Sequence, residues 1–314
     1  MRKDFFSKDI SEFFTAQLSE WELAGNNYLQ LEKVRTRHLV FPGFEVLVQF
    51  NPERLRSTAA ETDSGSIKVR PCFLCEKNRP EQQRGISFDD GFIALVNPYP
   101  IFKRHLTIAS CNHIDQRIRN NFGRMLSIAG ALPDYVVFYN GPQCGASAPD
   151  HLHFQAGNRG FLPLERDFES GRFTNPEITG PGSEIFTWKG YRRGIITLKG
   201  CATKPLENLF DSLYERLSVV QTDKPEPMLN ILAYKTGDSW IIHIIPRKLH
   251  RPAQYYAEGK DKIIISPASV DLGGVVITPR EDDYDRISEE DISDIFRQVC
   301  FGEEELNNMI NEIK

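Results

Sequence analysis

The stretch His151-Leu152-His153-Phe154-Gln155 carries the clearest pattern in the sequence, because polar and apolar residues alternate along it. This alternation is typical of a β-strand, in which residues two positions apart point to the same face. His151, His153 and Gln155 are therefore expected to line one surface, while Leu152 and Phe154 face the core. The stretch predicts a strand that presents two imidazoles and a carboxamide side by side.

The loop before this strand, GPQCGASAPD from Gly141 to Asp150, contains two glycines. Glycines let backbone amides approach phosphate oxygens closely, and a neutral imidazole on the following strand is able to attack phosphorus. Histidines that fall on an exposed strand face by chance are the simpler explanation of the strand alone. The glycine loop favours a site for a phosphate ester.

Strand-like and helix-like segments precede the histidine strand in a regular order. They are FIALV (92–96), HLTIAS (105–110), a predicted helix over 114–131, and YVVFYN (135–140). Two strands, a helix and two strands in succession indicate an antiparallel sheet with one crossing helix. An amphipathic helix is also predicted over 4–24, where aromatic residues recur at helical spacing.

The second half of the chain repeats this mixture of strands and helices. Residues 157–186 are rich in Gly, Pro, Asn and Glu and are predicted to be a connection. The later segments are the strand-like runs RGIITLK, MLNILAY, SWIIHII, KIIIS and GGVVIT, a helix over 205–220, and acidic helices from residue 288 onward. The sequence predicts an α+β protein with two domains, over residues 1–160 and 161–314.

The composition disfavours several classes of function. The chain of 314 residues has a net charge of −5, whereas surfaces that bind nucleic acid are rich in Lys and Arg. No window approaches the roughly 20 apolar residues of a membrane-spanning helix, and the N-terminus lacks the apolar run of a signal peptide. The six scattered cysteines fit a reducing compartment better than a disulfide framework. We expect a soluble, cytoplasmic protein without nucleic-acid or membrane partners.

Cys72 and Cys75 form a C-x-x-C pair that can be half of a metal site. A tetrahedral zinc site takes four nitrogen or sulfur ligands and tolerates long separations in sequence. His113 and His151 complete the set most naturally, since each lies at the end of a predicted strand. A redox pair is the competing interpretation, although no thioredoxin-like context surrounds the cysteines. The residues alone leave zinc, redox chemistry and chance open.

Arg247 is a further candidate, because it ends the apolar run SWIIHIIPRK with Lys248 beside it. Either side chain is long enough to reach a substrate phosphate. A solvated strand end is the simpler explanation of both residues.

Several of these segments resemble the histidine-triad superfamily. The first half of galactose-1-phosphate uridylyltransferase is similar to RPCFLCEKN (70–78), GFIALVN (91–97) and the stretch from FYN (138–140) to Gln155. The loop with Gly145 and Ser147, together with DHLHFQA, is closer to the phosphorylase branch, which includes GDP-L-galactose phosphorylase and diadenosine tetraphosphate phosphorylase. Weaker similarity continues to about residue 280.

The resemblance implies a fold and a set of site residues. The fold would consist of two histidine-triad-like lobes, each an antiparallel sheet with packed helices. His153 would be the nucleophile that accepts a nucleoside monophosphate, Gln155 would steady the phosphoryl oxygens, and His151 would bind zinc or orient the site. The substrate-binding residues would be Asn97, Asn140, Gly145 and Ser147, with Arg247 as a further candidate. The ligands of a structural zinc ion would be Cys72, Cys75, His113 and His151.

The implied reaction is a two-step nucleotidyl transfer of the phosphorylase type. A nucleoside diphosphate sugar or a dinucleoside polyphosphate would give its nucleotidyl group to His153, and phosphate or a sugar phosphate would then accept it. A hydrolase of the same superfamily and a non-catalytic nucleotide-binding zinc protein are the alternatives. The assembly state is left open, with a homodimer as one option.

Overall fold

The computed structural model describes residues 2–55, 70–88, 91–180 and 182–313. Its strands are β1 (Arg35–Phe41), β2 (Phe44–Phe50), β3 (Gly85–Ser87), β4 (Phe92–Val96), β5 (His105–Ser110), β6 (Tyr135–Asn140), β7 (His153–Asn158), β8 (Thr174–Gly180), β9 (Ser183–Trp188), β10 (Ile196–Gly200), β11 (Leu229–Thr236), β12 (Ser239–Pro246) and β13 (Val275–Thr278). Its helices are α1 (Arg2–Glu20), α2 (Glu22–Leu31), α3 (Phe122–Ala131), α4 (Pro163–Glu169), α5 (Thr203–Val220), α6 (Ala253–Tyr256), α7 (Ser269–Leu272), α8 (Glu281–Arg286), α9 (Glu289–Val299) and α10 (Glu303–Asn311).

Ten strands form one antiparallel sheet in the order β3-β4-β5-β7-β6-β11-β12-β10-β9-β8. The two halves of the chain meet at β6 and β11, where Asn140 pairs with Asn230. Counted outward from this seam, the order is 6-7-5-4-3 on one side and 11-12-10-9-8 on the other, so both halves have the same topology. Each half also has one helix, α3 or α5, directly before the strand that lies at the seam, β6 or β11. The predicted α+β fold with two antiparallel lobes is confirmed, and the lobes share one continuous sheet.

A second, three-stranded sheet covers one face of the large sheet. In it, β2 pairs antiparallel with β1 and parallel with β13, so strands from both ends of the chain lie together. Apolar side chains such as Val48, Phe138 and Val276 fill the space between the sheets. Because β2 pairs with β13, the contacts cross the predicted boundary at residue 160, and the domain division stays a prediction.

Helices cover the opposite face of the large sheet. The apolar stripes of α3 and α5 pack together there, and the rings of Phe122 and Phe210 stack with centroids 3.9 Å apart. No helix in the described ranges is long and apolar enough to cross a membrane.

Several local predictions differ from the structure. The N-terminal helix breaks at Trp21, whose backbone is extended, so α1 and α2 replace the single helix over 4–24. The predicted connection over 157–186 contains α4, β8 and the start of β9. The run KIIIS forms no strand. It is an irregular segment whose side chains Ile263 and Ile265 are nevertheless buried.

The helix predicted over 114–131 begins only at Phe122, at the start of α3. Within the preceding segment, the side chain of Gln116 is fully buried and bonds to the backbone of two strands. Those bonds require the irregular path that the chain takes before α3.

Candidate active site

A cavity of about 640 Å³ opens between the large sheet and the segments that follow β12 and α6. The predicted site residues that line it are Asn97, Asn140, Gly145, Ser147, His153 and Gln155. The second half of the chain contributes a wall that includes His250, Arg251 and Ser266. One cavity therefore brings together most of the predicted site and adds residues from the second lobe.

His153 begins β7 and is almost completely buried in the cavity wall. Its Nδ1 lies 2.8 Å from the carbonyl oxygen of His151. Since a carbonyl only accepts, Nδ1 carries the proton and Nε2 keeps its lone pair. Burial lowers the pKa of the imidazole to about 4, so His153 is neutral at physiological pH. The side chain has the tautomer and charge state of a nitrogen nucleophile.

The alternating pattern predicts that His151 shares a face with His153 and Gln155. In the structure, His151 lies just before β7 and does not share that face. Its backbone N–H bonds to Ala148 in a turn, and its ring meets that of His113 edge to face. The turn points the imidazole away from the cavity. The predicted face is therefore confirmed for His153 and Gln155 and wrong for His151.

The orientation of the Gln155 carboxamide follows from its neighbour His105 on β5. The backbone N–H of Ile101 donates to Nδ1 of His105, so the ring proton is on Nε2. That Nε2 donates to Oε1 of Gln155 at 3.0 Å, which leaves Nε2 of Gln155 to donate into the cavity. Burial lowers the pKa of His105 to about 3, so the ring stays neutral and the orientation is fixed.

His105 was missed by the sequence analysis. The signal was present, because His105 and Thr107 are alternate polar residues on the strand HLTIAS. They face the same side as Gln155, since Thr107 pairs with Gln155 in the β5–β7 ladder. Only the strand pairing shows that this face lines the site.

Asn140 ends β6 and presents its amide to the same cavity. Its Oδ1 accepts from Nδ2 of Asn230 at 2.8 Å, and from both the backbone N–H and the hydroxyl of Ser269, at 3.0 and 2.7 Å. All three donors come from the second half of the chain. They occupy the oxygen, which leaves Nδ2 of Asn140 to donate into the cavity.

The loop after β6 closes over the cavity at Gly145 and Ser147. Gly145 has a φ of +92°, and a Cβ at this position would lie 2.6 Å from the Cβ of Ala268. The position therefore requires glycine for both its backbone conformation and its close contact with the second half. The carbonyl of Ser147 accepts from the Arg70 guanidinium, which holds the loop at the cavity edge.

Cys72, Cys75, His113 and His151 form a cluster whose ligand atoms all lie within 4.8 Å of one another. The Sγ of Cys72 is 3.2 Å from Nδ1 of His151, and the Sγ of Cys75 is 3.3 Å from Nδ1 of His113. Ligands around one tetrahedral zinc ion would be about 3.6 Å apart, given the usual Zn–S and Zn–N lengths. Nε2 of His151 donates to the Ser110 carbonyl. This bond orients the ring so that Nδ1 of His151 faces the cluster. The donor set and its spacing fit zinc.

Arg247 corrects one prediction, because its guanidinium does not reach the cavity. The side chain is fully buried, and its five N–H groups donate to Oδ1 of Asn230 and to the carbonyls of Val299, Pro267, Leu249 and His250. The segment after β12 covers this strand end, so the expected solvent-facing arginine is enclosed. Arg247 holds the second-half wall and, through Asn230, the position of Asn140.

The guanidinium groups that do line the cavity are those of Arg54, Arg70 and Arg251. Asp271 also lines the cavity, and its burial raises its pKa to about 6, while Arg70 forms an ion pair with Asp150 at 3.4 Å. No periodic pattern singles out these three arginines, because they lie outside the long helices and strands. The cavity is cationic and suits phosphate groups.

Two family models match the sequence. A domain of unknown function, DUF4922, covers residues 13–158, and the GDPGP1-like C-terminal domain covers residues 182–314. A search of curated proteins finds no match.

Among solved structures, yeast Ap4A phosphorylase Apa2 in complex with Ap4A aligns with a TM-score of 0.59 at 17% identity, over 89% of this chain and 96% of that chain. Its complex with AMP aligns with a TM-score of 0.54 at 16% identity, over 91% and 96%. The chain therefore shares the fold of yeast Ap4A phosphorylase Apa2, and its C-terminal part is similar to the GDPGP1-like domain.

Proposed function

We propose that this protein transfers a nucleoside monophosphate from a nucleoside diphosphate sugar or a dinucleoside polyphosphate to a phosphate-bearing acceptor, through a nucleotidyl group on His153. The observation that carries the proposal is the state of His153, whose Nδ1–H is bonded to the His151 carbonyl while its neutral ring lines a cationic cavity. A buried, neutral imidazole with one nitrogen fixed is suited to nucleophilic attack.

In the first step, Nε2 of His153 attacks the α-phosphorus and forms a P–N bond. The bond from that phosphorus to the bridging oxygen breaks, and the rest of the substrate leaves as a phosphate ester or sugar phosphate. The amide groups of Gln155 and Asn140 donate to the phosphoryl oxygens, on which negative charge accumulates. The His151 carbonyl keeps its bond to Nδ1–H and stabilises the positive charge that the ring acquires.

In the second step, an oxygen of the acceptor attacks the same phosphorus from the side that the leaving group vacated. The P–N bond breaks, and its electron pair returns to Nε2, so His153 regains its neutral form. Phosphate as acceptor makes the enzyme a phosphorylase, and a sugar phosphate makes it a transferase. The two half-reactions use the same donors because each passes through a similar charge distribution.

The lining of the cavity includes two kinds of side chain, which support an orientation for the substrate. Trp21, Leu23 and Tyr99 suit a nucleobase, whereas Arg251 and Ser266 from the second half are polar. We propose that the base and ribose contact the first group, with Asn97, and that the leaving group and the acceptor contact the second group.

The cluster of Cys72, Cys75, His113 and His151 would hold a structural zinc ion. Two thiolates and two imidazoles fill a tetrahedral coordination sphere, so the ion would supply folding energy and leave no position for substrate. The cluster contacts His153 through the backbone carbonyl of His151.

The names of the structural relatives agree with this substrate class. Apa2 is described as an Ap4A phosphorylase and is seen with Ap4A and with AMP. The GDPGP1-like domain matches residues 182–314, the part of the chain that adds Arg251 and Ser266 to the cavity.

The proposal is tested with a panel of nucleotide sugars and dinucleotides labelled at the α-phosphate. We expect acid-labile label on the wild-type protein and on His38→Ala, a change at an exposed histidine, and no label on His153→Ala. Release of the label should require phosphate or a sugar phosphate. Turnover without either acceptor would make the protein a hydrolase, and label on another residue would overturn the assignment of the nucleophile.

A further inference from the structure

The ladder between β6 and β7 ends at the pair of Phe138 with Gln155. The same register, continued for two more pairs, would bring Tyr139 opposite Phe154 and then Asn140 opposite His153. Those two residues are strand ends, and each pairs with its other neighbour, Asn140 with Asn230 on β11 and His153 with Ala109 on β5. The two strands are therefore not hydrogen-bonded to each other at Asn140 and His153, the proposed amide donor and the proposed nucleophile.

The side chain of Gln116 bridges these two strand ends. Its Oε1 accepts from the backbone N–H of His153 at 2.8 Å, and its Nε2 donates to the carbonyls of His153 and Asn140 at 3.0 and 2.9 Å. The carboxamide thus replaces a peptide group and bonds to both strand ends. Gln116 is fully buried, so water does not compete for these bonds.

The segment that carries Gln116 is itself fixed. The backbone N–H of Gln116 bonds to the Pro149 carbonyl, and two residues later the N–H of Ile118 bonds to the carboxyl group of Glu226. Glu226 comes from the second half and also accepts from the Tyr139 hydroxyl at 2.6 Å. The carboxamide is held from both sides and has little freedom to follow a shift of β6 or β7.

We propose that Gln116 is a positioning residue for the reaction, which sets the separation and direction of the His153 imidazole and the Asn140 amide. This inference rests on the proposed function. With both backbone groups of His153 bonded to one carboxamide, the strand end cannot slide or rotate without breaking those bonds. Nucleophilic attack is sensitive to such shifts, since a displacement of about 1 Å can cost on the order of 100-fold in rate.

The test compares Gln116→Met with Gln17→Met. Gln17 is also fully buried and bonds only to backbone, donating to the Gln82 carbonyl and accepting from the Arg84 N–H, outside the cavity lining. Both changes replace a carboxamide with an apolar chain of similar length and should lower thermal stability. The rate of labelling of His153 in a single turnover, at saturating substrate, should fall on the order of 100-fold in Gln116→Met. It should stay within about threefold of wild type in Gln17→Met, and nucleotide affinity, measured separately, should change by less than about threefold in either variant.

Gln116→Glu provides a second variant if the methionine variant does not fold. A glutamic acid keeps the acceptor for the His153 N–H and at most one of the two donors, so labelling should slow at least about tenfold with unchanged affinity. Equal labelling rates in the Gln116 and Gln17 variants would overturn the inference, as would a loss of affinity that matches the loss of rate. Absence of label on the wild type would overturn the proposed function and the role of Gln116 with it.

Discussion

The carbonyl oxygen of His151 accepts a hydrogen bond from Nδ1 of His153 at 2.8 Å, while the His151 ring belongs to the Cys/His cluster. One residue therefore joins the cluster to the imidazole in the cavity, through its backbone on one side and its side chain on the other. A change in the cluster is expected to reach His153 through this bond.

Loss of zinc should destabilise the protein and slow the labelling of His153. Cys72→Ser and Cys75→Ser each remove one ligand, so we expect less than one zinc ion per chain by elemental analysis and a lower melting temperature. Cys111→Ser, at an exposed cysteine outside the cluster, is the control and should keep the wild-type zinc content. A chelator that leaves the melting temperature of the wild type unchanged would contradict a structural role for the metal.

His105 and Gln155 should act as one unit. Gln155→Leu removes a donor to the phosphoryl oxygens and should reduce the single-turnover rate about 100-fold. His105→Leu frees the carboxamide to rotate and should cost about tenfold at unchanged nucleotide affinity. In the Gln155→Leu background, His105→Leu should add little further loss. Additive losses in this double-mutant cycle would show that the two residues act independently.

Arg247→Met should lower stability far more than a change at the neighbouring surface cation. It removes a donor from Asn230 and from four backbone carbonyls around a fully buried side chain, so we expect the free energy of unfolding to fall by about 3 kcal/mol or more. Lys248→Met removes an exposed ion pair with Glu305 and should cost less than about 1 kcal/mol. Urea denaturation measures both values, and similar losses in the two variants would argue against the network around Arg247.

Glu226 should make stability fall as the pH rises. Burial raises the pKa of this carboxyl from its ordinary 4.5 to about 7, although Tyr139 and Ile118 donate to it. The native state then holds a proton that the unfolded state has lost, so its contribution is full below about pH 4.5 and is lost by about pH 7, a change on the order of 3 kcal/mol. Glu226→Gln cannot ionise and should show a flatter profile of unfolding free energy over this range. Parallel profiles for variant and wild type would contradict the shifted pKa.

The sequence predicts the parts of the site that depend on local patterns. Alternation identified the face shared by His153 and Gln155, and ligand chemistry identified the set of Cys72, Cys75 and His113 with His151. The antiparallel sheets of the two lobes followed from the order of the elements, whereas the strand order, the joining of β6 to β11 and the three-stranded sheet did not.

The parts that the sequence does not predict depend on contacts between distant segments. Arg247 ends an apolar strand, and only the packing of residues 249–267 shows that its guanidinium is enclosed. Gln116 lies in a segment with helical spacing, and its bonds to β6 and β7 outweigh that local preference. His105 gains its role from strand pairing, and the cavity arginines lie outside the long helices and strands.

The edge-to-edge joining of β6 and β11 bears on any attempt to shorten this chain. A protein ending near residue 160 would carry the proposed nucleophile and the proposed metal ligands, yet it would expose the whole hydrogen-bonding edge of β6 to other molecules. It would also lack Asn230 and Ser269, whose donors orient the Asn140 amide. We expect such a fragment to self-associate and to bind phosphate groups less well, so the proposed activity depends on the second lobe as much as on the lobe that contains His153.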